Sequence, residues 1–206
     1  MRHTMKQKQF RRLIEGYIRL HALPPDKFSH QPRLYHLAKR LAEKSAYDDD
    51  VLHAAAWMHD LGVFVGHRPK SLAKLAKWDH VAYASKEVPK LLKLFGFPQE
   101  KTPAVIETIR THLPSAKPTS FEGILVRDAD ILEQLGAITV LRTVSKVGRD
   151  TRFETFADAL AVLAKNAKEL PRQLRLKSAR QLAKPRLKVL REFLRAAQIE
   201  ADGKGL

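Results

Sequence analysis

The chain has 206 residues, of which 44% are hydrophobic and 29% charged, enough for one globular domain with a sizeable core, or for one domain plus an appendage. It contains no cysteine, which excludes disulfides, thiolate catalysis, thiolate–zinc sites and iron–sulfur clusters. Its net charge of +16 favours anionic partners such as nucleotides, polyphosphate, RNA or membrane surfaces without choosing among them.

Taken in order, residues 5–22 predict a helix, with Phe10, Leu13, Ile14, Tyr17 and Ile18 on one stripe. The segment LPPD (23–26) ends it. A second helix is expected from about Ser29, as N-cap, to Ala46. Leu34, Leu37, Ala38 and Leu41 supply its apolar side, and His36 stands among basic neighbours. Asp48, Asp49 and Asp50 start a third helix, because carboxylates favour helix N-termini. That helix, VLHAAAWMHD, is apolar nearly all round and should be buried. Gly62 stops it directly after His59 and Asp60.

Residues 62–78 read as a basic loop, and Asp79 caps a fourth helix running to about Phe95. A fifth spans about Thr102 to His112, and LPSAKPTS is a break. A sixth starts near Thr119 and Ser120 and carries Ile124, Leu125, Ile131, Leu132 and Leu135. Two more are expected, over roughly 153–168 and 172–198, the latter interrupted near Pro185. No strand alternation and no internal repeat is visible, so the fold class is all-α.

The chemistry concentrates in an ordered series of imidazoles and carboxylates: His36, His59-Asp60, His80, His112 and Asp130. Nitrogen and oxygen donors of this kind suit iron, manganese or zinc. A metal with open positions makes water a nucleophile near neutral pH. A buried aspartate beside Trp57 and Met58 is costly unless a metal or a basic partner relieves it. Asp128 and Asp130 stand about 200° apart on a helix, so they cannot both face one ion.

The pattern His36…His59-Asp60…Asp130 resembles the HD superfamily of metal-dependent phosphohydrolases. AAAWMHDLGVF is similar to that family's apolar run into its HD pair, ETIRTH to its helix ending in histidine, and SFEGILVRDADILEQLGA to the segment whose final aspartate closes the site. The resemblance covers about residues 28–140. It implies an HD-type helical bundle; with the additional C-terminal helices expected from the sequence, the chain divides into a metal-binding domain with its N-terminal helix over 1–150 and a basic helical extension over 151–206. It also selects Asp130 over Asp128 as a ligand. His36, His59, Asp60 and Asp130 would then hold one divalent transition metal. His80 and His112, with Asp60 bridging, would hold a second, as in two-metal branches such as the symmetrical diadenosine tetraphosphatases and the cyclic-dinucleotide phosphodiesterases. The GYP motif of the cyclic-di-GMP branch is absent. Where many members carry an arginine three residues after the first histidine, this reading finds Lys39, which lacks the bidentate fork.

The implied activity is hydrolysis of a phosphate ester or anhydride, of a nucleotide, by metal-activated hydroxide, with His59 and Asp60 at the catalytic centre. Lys39, Arg40 and Arg68 are candidates to hold substrate phosphates. Two alternatives use the same residues differently: a di-iron oxygenase, and a non-catalytic RNA- or polyanion-binding protein with a retained HD core. The second strong signal is charge. Residues 165–195 hold eleven Lys/Arg against Glu169 and Glu192, a candidate surface for RNA or polyphosphate. The N-terminal twenty residues lack a continuous apolar segment of signal-peptide length, and no stretch approaches a membrane span, so a cytoplasmic protein is expected.

Overall fold

The computed structural model describes residues 2–23, 25–149 and 153–204. Pro24 of the LPPD segment and residues 150–152, where the sequence suggested a domain divide, lie outside the described residues. Ten α-helices and no strand occur among the described residues, so the fold is all-α. They are α1 (Arg2–His21), α2 (His30–Ala42), α3 (Asp49–Met58), α4 (Leu72–Ala76), α5 (His80–Leu94), α6 (Thr102–Arg110), α7 (Phe121–Glu133), α8 (Ala137–Val144), α9 (Phe156–Glu169) and α10 (Lys177–Glu200). No described helix is long and apolar enough to cross a membrane. The chain forms two compact units, Met1–Arg127 and Asp128–Leu206, the divide falling within α7.

In the first unit α3 is the central element, contacted by α1, α2 and α6. Its all-round apolarity is used in full: every residue from Val51 to Met58 is buried, including His53. Asp48 caps it, the carboxylate accepting from the backbone N–H groups of Asp50 and Val51 at 3.0 and 3.2 Å. This satisfies two of the donors that a helix start leaves unpaired. The α3 start is also tied down by ions. Arg11 of α1 reaches Asp49 at 2.8 Å and Asp50 at 2.6 Å, and Lys101 reaches Asp48 at 2.8 Å and Asp50 at 3.0 Å. α5 packs on α6 and on the 3-10 turn Leu61–Val63 that follows His59-Asp60.

In the second unit α8, α9 and α10 pack on one another. Thr155 and Asp158 form a reciprocal capping box at the start of α9. Asp128 is buried, and its carboxylate accepts from the backbone N–H groups of Arg175 and Leu176 at 2.8 and 2.7 Å. It thereby caps the approach to α10 from a distant point in the chain.

Several boundaries differ from the sequence expectations. α2 ends at Ala42, with Glu43 at a φ of 52°, and does not reach Ala46. Ser29 makes no side-chain capping bond at its start. The loop over 62–78 contains the short helix α4. α8 was not foreseen, because AITVLRTV is short, β-branched and turns two threonines inward, Thr139 and Thr143. α10 runs through Pro185 without a break. Proline removes one intrahelical bond there, and the buried side of Ala179, Ala183, Leu187 and Leu190 holds the helix together across it.

Candidate metal centre

α3 ends at Met58, and its ladder carries on one step, the His59 backbone N–H bonding to the Ala55 carbonyl at 2.9 Å. His59 is fully buried, and Asp60 follows with its side chain about a fifth exposed. His30 opens α2, buried, with its Nε2 3.9 Å from the nearer Asp60 oxygen; the His59 Nε2 is 3.5 Å from the same oxygen. The His30 and His59 rings stand 5.3 Å apart between centroids, the His59 and His112 rings 4.9 Å, and the His80 and His112 rings 5.8 Å. Two groups of donor atoms, each within 4.8 Å of one another, result: His30, His59 and Asp60, and Asp60, His80 and His112. Asp60 is common to both.

Each imidazole is brought in by a different element. His30 comes from the first turn of α2, His59 from the end of α3, His80 from the first residue of α5, and His112 from just past α6. Two of the rings are oriented by the backbone of their own helix. His59 Nδ1 lies 3.0 Å from the Ala56 carbonyl oxygen, and His112 Nδ1 lies 2.6 Å from the Ile109 carbonyl oxygen. A carbonyl only accepts, so each Nδ1 carries a proton, and in the neutral ring each Nε2 presents its lone pair to the cluster. His80 is placed by close packing: the Gly62 carbonyl accepts from the Trp78 indole N–H at 2.8 Å, and Gly62 itself lies directly against His80.

The electrostatics suit a cation. Burial pushes the Asp60 carboxyl up, and positive charge on the surrounding His59, His30, His112 and His80 outweighs it, holding the group well below the usual carboxylate range; a bound cation would supply that charge in place of protonated imidazoles. An ionised carboxylate ringed by four imidazoles, two of them with tautomers fixed to expose Nε2, matches the donor chemistry of an iron, manganese or zinc site. The residues present therefore fit the divalent metal that the sequence suggested.

The structure brings together His59, Asp60, His80 and His112 of the expected set. In place of His36, α2 contributes His30. His36 is exposed, its ring 6.3 Å from that of Tyr35. It lies six residues beyond His30, about 9 Å along the axis and about 240° around it, and so cannot serve the same ion. The signal for His30 was present: Arg33 follows it by three residues, the arginine that the family pattern asks for and that His36, followed by Lys39, lacks. Lys39 instead approaches Asp49 at 3.8 Å and lies over the Tyr35 ring. Lys39 and Arg40 are about 13 Å or more along α2 from His30. Arg68 is half-buried in the loop after Gly62, its backbone N–H bonded to the Phe64 carbonyl at 3.0 Å. Asp130 belongs to the second unit, on α7, where its carboxylate accepts from the Gln134 amide at 3.0 Å.

The chain is similar to known proteins over nearly its whole length. The chain is 27% identical over its full length, and over 98% of the relative, to YpgQ of Bacillus subtilis, an uncharacterised protein. Among solved structures, YpgQ in complex with ADP aligns with a TM-score of 0.70 at 25% identity, covering 97% of this chain and 98% of that one. A Listeria innocua protein aligns at 0.72 with 20% identity, covering 97% and 99%. A Bacillus thuringiensis protein described as an HD-superfamily hydrolase aligns at 0.68 with 21% identity, covering 97% and 100%. The HD domain pattern matches residues 28–135, just over half the chain, and the protein belongs to the HD family.

Proposed function

We propose that this protein is a metal-dependent phosphohydrolase acting on a phosphate ester or anhydride of a nucleotide. The observation that carries the reading is the pair of donor groups sharing Asp60, with four imidazoles from four separate elements around one carboxylate. His30, His59 and Asp60 would hold one divalent ion, and Asp60, His80 and His112 a second. Asp130 is assigned to the first ion on the sequence pattern. Ions bound there supply Lewis acidity and bring water to a nucleophilic state near neutral pH.

The chain's own residues do the rest. The carbonyls of Ala56 and Ile109 keep His59 and His112 in the tautomer that presents Nε2. Asp60 brings negative charge to the centre and stays ionised across the physiological range. Arg33, one turn beyond His30, places a cation beside the first ion's ligands, and Arg68 in the loop after Gly62 offers a second cation. The nucleotide assignment is supported by the ADP held by YpgQ, a relative over nearly the whole chain.

The test is metal analysis of the purified protein followed by phosphate release from a panel of nucleotides and dinucleoside polyphosphates. Two metals per chain and hydrolysis of at least one nucleotide are expected. Replacing His80 and His112 together should leave about one ion. Oxygen consumption by the iron-loaded protein, with no hydrolysis across the panel, would replace this reading with an oxygenase.

A further inference from the structure

The eleven cations of residues 165–195 are sorted by the fold of the second unit. On α10, Arg186 is the cation turned inward: its guanidinium bonds the Leu132 carbonyl at 2.6 Å, lies 3.9 Å from Glu133, and packs its stem against Gly136. Six others, Lys177, Arg180, Lys184, Lys188, Arg191 and Arg195, are exposed. At about 100° per residue these six fall within an arc of about 80°, and they run about 27 Å along the axis. Arg186 stands on the opposite side, with the buried Ala179, Ala183, Leu187 and Leu190 between them. Along this stripe one acidic residue intervenes, Glu192, 4.0 Å from Lys188, and both of these side chains are well exposed. An exposed pair at that distance neutralises little.

We propose that this outer face of α10 is a docking surface for double-helical RNA, held through its phosphates. The partner follows from the chemistry of the stripe. A straight row of like charges has its complement in a regular row of phosphates, and the amides on or beside this face, Gln181 and Gln198, are few for reading base edges. The face carries no aromatic side chain in the row, so it does not stack unpaired bases. A-form RNA has a narrow major groove flanked by phosphates and is recognised through shape and backbone, which is what such a row can reach. A lipid surface fits less well, because the leucine side of α10 is already buried within the unit and is not available to enter a bilayer. The surface is independent of the metal centre and of the function proposed for it.

The experiment uses the full-length protein and a fluorescently labelled 20-base-pair RNA duplex. Five phosphate contacts, leaving aside Arg180, whose guanidinium donates to the Leu174 and Arg175 carbonyls at 3.0 and 2.9 Å, predict a log–log salt slope of about −4.5, a loss of roughly five-hundredfold in affinity between 50 and 200 mM salt. A variant with Lys177, Lys184, Lys188 and Arg191 all changed to Glu should lose binding at 50 mM salt. A control with Lys44, Lys74, Lys93 and Lys117 changed to Glu has the same net charge and should bind within a few-fold of wild type. Equal losses in the two variants would overturn the proposal, because net charge rather than the stripe would then be responsible. Binding as tight to a DNA duplex of the same sequence, to polyphosphate or to phosphatidylserine vesicles would overturn the choice of RNA. Circular dichroism of the reversed variant should match wild type; all the replaced side chains are exposed.

Discussion

Gly62 lies against the first residue of α5 so closely that a methyl group on its α-carbon would stand 2.6 Å from the His80 carbonyl oxygen and 2.8 Å from the His80 α-carbon. The contact is with backbone, which cannot swing aside. A glycine here is thus required by approach, not by a left-handed turn, and it sets how near His80 comes to Asp60. Gly62→Ala should push the first turn of α5 outward and cost about 1–3 kcal/mol of stability. Metal content should fall from two towards one, with the ion of His80 and His112 lost first. Trp78→Phe, which removes the indole N–H to the Gly62 carbonyl together with part of the ring, should weaken the second ion without lowering the first. Titration of metal-stripped protein with manganese, followed by calorimetry, reads both sites; unchanged affinities in both variants would refute this positioning role.

The replacement of His36 by His30 makes a sharp contrast within one helix. His30→Ala should remove most bound metal and the activity, since its Nε2 stands with His59 and Asp60. His36→Ala should retain metal content and rate, because the side chain is exposed and remote. Metal analysis of both variants beside His59→Ala is sufficient. Loss of metal in His36→Ala with retention in His30→Ala would reverse the assignment.

The two aspartates of RDAD divide by role. Asp128→Asn should cost about 1–3 kcal/mol, read as a shift in urea midpoint, because a buried carboxylate bonded to two backbone N–H groups loses its charge. Metal content should be unchanged. Asp130→Asn should leave the midpoint nearly unchanged and lower metal content and hydrolysis. A stability loss in Asp130→Asn alone would mean that the pattern had been aligned two residues out.

What the sequence made legible follows from what each signal encodes. The burial of α3 was readable because an unbroken apolar run leaves no solvent face. The end of that run also located His59 and Asp60. His30 was missed because it sits in the first turn of α2, before the periodic leucines that announce the helix, whereas His36 stands within them. The role of Asp128 was not legible, because its partners are backbone donors 47 and 48 residues further along. Pro185 suggested a break because local rules see the lost bond and not the buried side that compensates for it.

His53 gives a prediction in pH. It is buried on α3, with Nε2 3.0 Å from Glu15 of α1 and its Nδ1 without a protein hydrogen-bond partner among the described residues. Burial, helped by the nearby Arg11, lowers its pKa from the ordinary 6.5 against the opposing pull of Glu15. The folded chain therefore binds this proton less readily than the unfolded chain. The stability associated with a neutral His53 is fully present above pH 6.5 and is lost as the pH falls below 6.5 towards the folded value. One such proton contributes at most about 1.4 kcal/mol per pH unit. His53→Gln, which cannot take up the proton, should show a shallower decline in urea midpoint between pH 7.5 and 5.5 than wild type. Both proteins are measured metal-stripped in chelator, so that protonation of His30, His59, His80 and His112 contributes equally to each. Parallel lines for the two proteins would show that folding does not exclude this proton, and that Glu15 rather than burial sets the state of His53.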